Sequence, residues 1–168
     1  MNISKLKDRC EVLRSMLVKF RDIYHSLETS NDQKKFMETM VSAGIFYLPN
    51  SLENWTGKIS EECLNQIRLN KSYSPTKEHE YPRKIAATHL LNNIDKIESG
   101  ELDLVDFYLN NCGKYNFVTR SENTKLKKHQ KFEVFTNPET SYLEANINLV
   151  EISKEDYKKL KKGIDILK

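Results

Sequence analysis

Two short segments carry the side chains best suited to chemistry. One is Glu78-His79-Glu80, followed by Pro82, Arg83 and Lys84; the other is Phe117-Val118-Thr119-Arg120-Ser121-Glu122-Asn123. An imidazole titrating near about pH 6.5 can take a proton from water at neutral pH. Carboxylate and carboxamide oxygens suit a hard divalent cation. The charge around the second segment is lopsided. Over residues 114–131, Lys114, Arg120, Lys125, Lys127, Lys128 and Lys131 face the single acid Glu122. A basic stretch of this kind suits a polyanion. Cys10, Cys63 and Cys112 are odd in number and form no C-x-x-C pair. That argues against a disulfide framework and against a four-cysteine zinc site.

In this order the two segments resemble the HNH (ββα-metal, His-Me finger) endonuclease superfamily, phage and mobile-element type. There an acid followed by His ends a first strand. A second short strand then leads into a helix whose early turn carries a His or Asn ligand. FVTRSEN is similar to the hydrophobic-V-T-x-x-E-N phrase of many phage and intron-borne members. The resemblance covers about residues 70–131. It implies metal-dependent hydrolysis of phosphodiester bonds in DNA by a homing, phage-associated or restriction-like nuclease. His79 would activate water, and Glu78 and Asn123 would hold a divalent metal, Mg²⁺ or Mn²⁺. Asn116 would be the middle motif residue, with Asn110 and Asn111 as alternatives. Arg83, Lys84, Arg120, Lys125, Lys127 and Lys128 would meet the nucleic acid. A ribonuclease, or a non-catalytic nucleic-acid-binding or helical interaction protein, is the alternative reading.

These side chains need particular elements. Successive residues of a regular strand face opposite ways. Glu78 and His79 therefore share a site only if the chain leaves strand geometry there; if the strand continues, Glu80 is the acid on the face of Glu78. Residues 115–118 read as a strand, and Thr119-x-x-Glu122 is a capping box opening a helix to about Lys128. Asn123 then falls in the first turn, with Lys127 on its side and Leu126 inward. The 44 positions from His79 to Asn123 leave room for an inserted helix over about 102–111, ended by Gly113 as a left-handed stop. Another helix is expected over 83–94, with Pro82 at its first turn.

Elsewhere, Ile3, Leu6, Cys10, Leu13, Leu17, Phe20 and Tyr24 follow an unbroken 3-4 spacing and predict a long helix over 2–28. Ser30-x-x-Gln33 opens a second helix to about Phe46, and residues 60–69 form a third. Residues 47–58 read as a loop holding Trp55. Strands are expected at 132–136 and 147–152 around an Asn137-Pro138 turn, then a helix after Ser153. With 168 residues, 38% hydrophobic, 30% charged and few Gly and Pro, the chain reads as a mostly helical α+β protein. Three segments follow: a helical region at 1–69, a nuclease core at 70–131, and an extension at 132–168. No apolar run spans a bilayer and the N-terminus is charged throughout, so no membrane is expected and the cytoplasm is the default location. The heptad seam must be buried, within the chain or in a homodimer.

Overall fold

The computed structural model describes residues 2–130 and 138–164. Along the chain run α1 (Ile3–His25), α2 (Asn31–Phe46), β1 (Trp55–Ser60), α3 (Glu61–Leu69), β2 (Thr76–His79) and α4 (Arg83–Asn92). Then come α5 (Ile94–Ser99), α6 (Leu104–Phe107), β3 (Tyr115–Val118), α7 (Arg120–His129), α8 (Pro138–Glu144), β4 (Leu149–Glu151) and α9 (Lys154–Lys161). This is a mostly helical α+β fold, as the sequence predicts, and its strands form one four-stranded mixed sheet. The chain forms two compact units, each assembled from two segments: Met1–Ser51 with Tyr81–Gly113, and Leu52–Glu80 with Lys114–Lys168. They interleave and do not follow one another as 1–69, 70–131 and 132–168. The turn-rich stretch 70–77 lies inside the second unit, and residues 81–113 are the insertion between β2 and β3.

In the first unit most of the α1 seam does what its spacing demands, though Ile3 at its start is 44% exposed and Phe20 is only partly buried. Leu6, Cys10, Leu13, Leu17 and Tyr24 are buried with Met37, Val41 and Ile45 of α2 and Ala87, Leu90 and Leu91 of α4. Each fully buried Leu contributes roughly 1.5–3 kcal/mol. The seam thus has its partner within its own unit, and a homodimer is not needed to cover it. Asn2 caps α1 by accepting from the Lys5 amide at 2.9 Å. At α2 the predicted capping box forms: the Gln33 amide donates to Ser30 Oγ at 3.2 Å, and the Ser30 amide to Gln33 Oε1 at 2.8 Å. Gly113 is not the left-handed stop expected of it, since its φ is −83°. It follows a π-helical turn, Tyr108–Cys112, and a Cβ there would meet the Tyr108 carbonyl oxygen at 2.5 Å. Close approach, not backbone handedness, demands glycine.

In the second unit the sheet order is β2-β3-β1-β4, with β1 and β3 parallel and the other pairs antiparallel. One face packs Trp55, Ile59, Tyr115 and Phe117 against Cys63, Leu64 and Ile67 of α3 and Leu160 of α9. On the other, Val118 joins Leu126 of α7 and Tyr142 of α8, with Ala145 and Ile147. The expected loop 47–58 is therefore overturned at its end. Trp55 is only 2% exposed and begins a strand inside the sheet, its ring 5.1 Å from that of Phe117. β4 occupies the core of the strand predicted at 147–152. The strand expected at 132–136 lies outside the described residues; Pro138 opens α8 where a turn was expected. All three cysteines are buried and free, and burial pushes the Cys10 thiol up to about 11 and the Cys63 and Cys112 thiols to about 12. Among the described residues no helix is long and apolar enough to cross a membrane.

Candidate functional site

The two strands that carry the candidate residues are partners. β2 and β3 run antiparallel, with Glu78 opposite Asn116 and His79 opposite Tyr115. β2 keeps strand geometry through His79, so the pleat sends Glu78 and Asn116 to one face and His79 and Tyr115 to the other. The acid and the imidazole do not share a site. Glu80 lies one residue past the strand end, yet its carboxylate reaches the same side, accepting from Asn116.

On that face lies a buried polar network. Glu78 is 2% exposed and Asn116 fully buried. The Glu78 carboxylate accepts hydrogen bonds from the Tyr142 hydroxyl and from Gln130 Nε2. Asn116 Nδ2 donates to the Tyr142 oxygen at 2.9 Å and to Glu80 Oε1 at 3.0 Å, while its Oδ1 accepts from the Thr56 hydroxyl. Tyr142 therefore passes its proton toward Glu78 and receives one from Asn116. Burial holds the Glu78 carboxyl above the ordinary carboxylate range; the Tyr142 and Gln130 bonds pull it down and nearby Glu80 pushes it up. Burial, and then the charge of Glu78, raise the Tyr142 phenol far above its usual value, so it remains a donor.

The opposite face has a different character. The His79 ring meets the Tyr115 ring edge-on at 6.1 Å, and Lys77 Nζ lies 4.6 Å from the centroid of that tyrosine. Burial lowers the pKa of Lys77.

Asn123 sits where the capping box puts it. The Glu122 amide donates to Thr119 Oγ1 at 3.2 Å, and Glu122 Oε2 accepts from the Thr119 amide at 2.7 Å. The same carboxylate accepts from Ser60 Oγ at 2.6 Å, which ties α7 to the end of β1. Asn123 stands seven residues before Gln130, the α7 residue that touches Glu78. That separation is about 10 Å of helix along the axis. Among the described residues no cluster of three His, Cys, Asp or Glu side chains is disposed to hold a metal. Both Glu78 oxygens already accept hydrogen bonds, from Tyr142 and Gln130, so as arranged the acid offers a cation no oxygen free of them.

The cations divide between the units. Arg120, Lys125, Lys127 and Lys128 occupy the exposed side of α7, opposite buried Leu126, in the second unit. Lys131 lies outside the described residues. Arg83 and Lys84 open α4 in the first unit, with Lys84 exposed. Asn110 donates to Asp106 Oδ1 at 2.6 Å within the first unit, so Asn116 is the asparagine that faces the acid-bearing strand. A cleft of about 540 Å³ in the second unit is lined by Glu61, Glu62, Glu122 and three asparagines, and its acids repel a phosphate backbone.

Tyr142, Gln130 and Thr56, which complete the network, escape the sequence reading. Tyr142 and Gln130 are joined to Glu78 over 64 and 52 positions. The available signal was Pro138-Glu139, a helix start that would have placed Tyr142 on a helix. No family model matches the chain, and no curated protein or solved structure is significantly similar to it.

Proposed function

We propose that the chain is a ββα-type endonuclease that hydrolyses phosphodiester bonds in DNA. The observation that carries this reading is the run β2, β3, α7: two antiparallel strands leading straight into a capped helix. The acid–histidine pair lies on the first strand, Asn116 opposite it on the second, and Asn123 in the first turn of the helix. The exposed cations of α7 supply phosphate contacts. His79 is the proposed base. No step is assigned to a metal, and Mg²⁺ or Mn²⁺ enters as a variable of the assay.

A second reading, nucleic-acid binding without cleavage, is favoured by one observation: both oxygens of Glu78 are occupied by Gln130 and Tyr142. Supercoiled plasmid incubated with Mg²⁺, Mn²⁺ or a chelator separates the two, and single-stranded RNA in parallel tests for a ribonuclease. Under the nuclease reading His79→Ala cleaves about 10²–10⁴-fold more slowly and binds DNA as tightly as the parent. Equal cleavage by the folded variant rejects His79 as base. Binding without cleavage under every metal condition selects the second reading. Replacing Lys125, Lys127 and Lys128 by Gln lowers the slope of log affinity against log salt by about 0.9 per lost contact on duplex DNA.

A further inference from the structure

An exposed cluster in the first unit is not used by this reading. Phe46, the last residue of α2, and Tyr47 just after it are 58% and 68% exposed. Their rings stand edge to face, 5.3 Å between centroids. Leu48 is buried immediately beyond them, so the pair is held out at the end of a packed helix. Each aromatic residue is met by a guanidinium. Arg83 lies over the Phe46 ring, 4.4 Å from its centroid, and Arg9 Nη1 donates to the Tyr47 carbonyl oxygen.

The sequence on either side of these residues is short of acids. No acid occurs between Glu38 and Glu53 or from Tyr81 to Ile94, while Arg83 and Lys84 open α4 with no acid in its first turn. Two cations at that end of a helix oppose the macrodipole, a cost that an anion alongside them offsets. On α1, Asp8 and Glu11 neighbour Arg9 in sequence but point about 100° and 160° away around the helix. A surface meant for another protein's apolar face would not set the Arg83 guanidinium against the exposed Phe46 ring, with a second guanidinium beside the Tyr47 carbonyl. Aromatic faces beside arginines match a base with its phosphate, because every base has a π-face and every nucleotide a negative charge.

We propose that Phe46 and Tyr47 form a stacking platform for unpaired bases of a single-stranded nucleic acid, whose phosphates pair with Arg9, Arg83 and Lys84. The inference rests on the proposed action on nucleic acid. It adds the substrate class: a single strand, or a duplex with locally unpaired bases, since bases inside a duplex are already stacked.

The test is fluorescence anisotropy of the full chain with a labelled oligo-dT and with a duplex of equal length, in chelator so that nothing is cleaved. Phe46→Ala with Tyr47→Ala weakens single-strand binding about tenfold or more and leaves the salt slope unchanged, because no charge is removed. Arg9→Gln with Arg83→Gln lowers that slope by about 0.7 per contact. Phe36→Ala removes another aromatic of α2, 65% exposed, and binds as the parent does. Parent-like single-strand affinity in the Phe46/Tyr47 variant, with helicity unchanged, overturns the proposal. So does absence of single-strand binding by the parent, or self-association that the same variant abolishes while oligonucleotide affinity stays constant. Plasmid cleavage without single-strand binding removes the platform and leaves the nuclease reading standing; loss of both removes both.

Discussion

Tyr142→Phe tests whether the network around Glu78 holds the second unit together. The substitution keeps the ring, which packs with Val118, Leu126 and Ile147, and removes the hydroxyl alone. Two bonds are lost, one to the Glu78 carboxylate and one from Asn116 Nδ2. A bond to a charged group contributes about 1.5–3 kcal/mol, and a buried donor left without its acceptor costs about 1–3 kcal/mol. Asn116 keeps its bond to Glu80, so about 2–5 kcal/mol is the expected total. Trp55 is the single tryptophan, it is 2% exposed, and it belongs to the same unit. Its fluorescence during urea unfolding therefore reports this unit. With a urea slope of about 1–3 kcal/mol per molar, the midpoint falls by about 1 M or more at unchanged slope. The loss also has a pH signature. The Tyr142 bond pulls the Glu78 pKa down, so removing it raises that pKa further. The gap between parent and variant then widens as pH rises from the parent's raised folded pKa through the variant's higher one, and stays constant below both. A variant whose midpoint stays within about 0.3 M of the parent at neutral pH would refute the assignment and free Glu78 for another role.

Glu78→Gln removes a carboxyl whose folded pKa is raised, so the native state holds that proton more tightly than the unfolded chain. Wild-type stability from this group is lost as pH climbs from the ordinary carboxylate range through the folded pKa, and the variant gains on the parent over that window; parallel stability–pH curves from urea melts would contradict it. Leu13→Asp with Leu17→Asp places two charges among residues 5% and 0% exposed; helicity falls and the first unit unfolds, whereas a retained thermal midpoint would show that the α1 seam is not buried.

The legible parts of the fold are those whose partners lie within a turn or two. Ser30 with Gln33 and Thr119 with Glu122 contain both halves of their capping boxes, so the starts of α2 and α7 are written locally. The α1 seam repeats over its whole length and needs no other element to be recognised. β1 is the opposite case. Gly57 has φ +92°, and the pairing with β3 shifts register between Trp55 and Ile59. The bulge erases the alternation that would mark Trp55–Ser60 as a strand, and its neighbours β3 and β4 come from far along the chain. The face on which each candidate lies is likewise a matter of register. Glu78 meets Asn116 only because β2 and β3 pair across an inserted helical segment.

That same register decides which acid is buried and which meets water. Adjacent residues on a strand are the furthest apart in function, because the pleat separates them by the thickness of the sheet. Glu78 and His79 read as a pair in the sequence, yet α7 and α8 close over Glu78 while His79 turns to the tyrosine face. Glu80, two residues on, shares the face of Glu78 but lies past the strand end and is half-buried. Its carboxylate takes one proton of the Asn116 amide, whose oxygen is held by Thr56. Asn116 is thus fixed at both ends, and the acid that retains access to water on this face is Glu80. A buried acid with both oxygens satisfied rigidifies the register, whereas one at the rim is held by a single bond from the amide. On physical grounds the stability of this face rests on Glu78, while Glu80 stays at its water-facing rim.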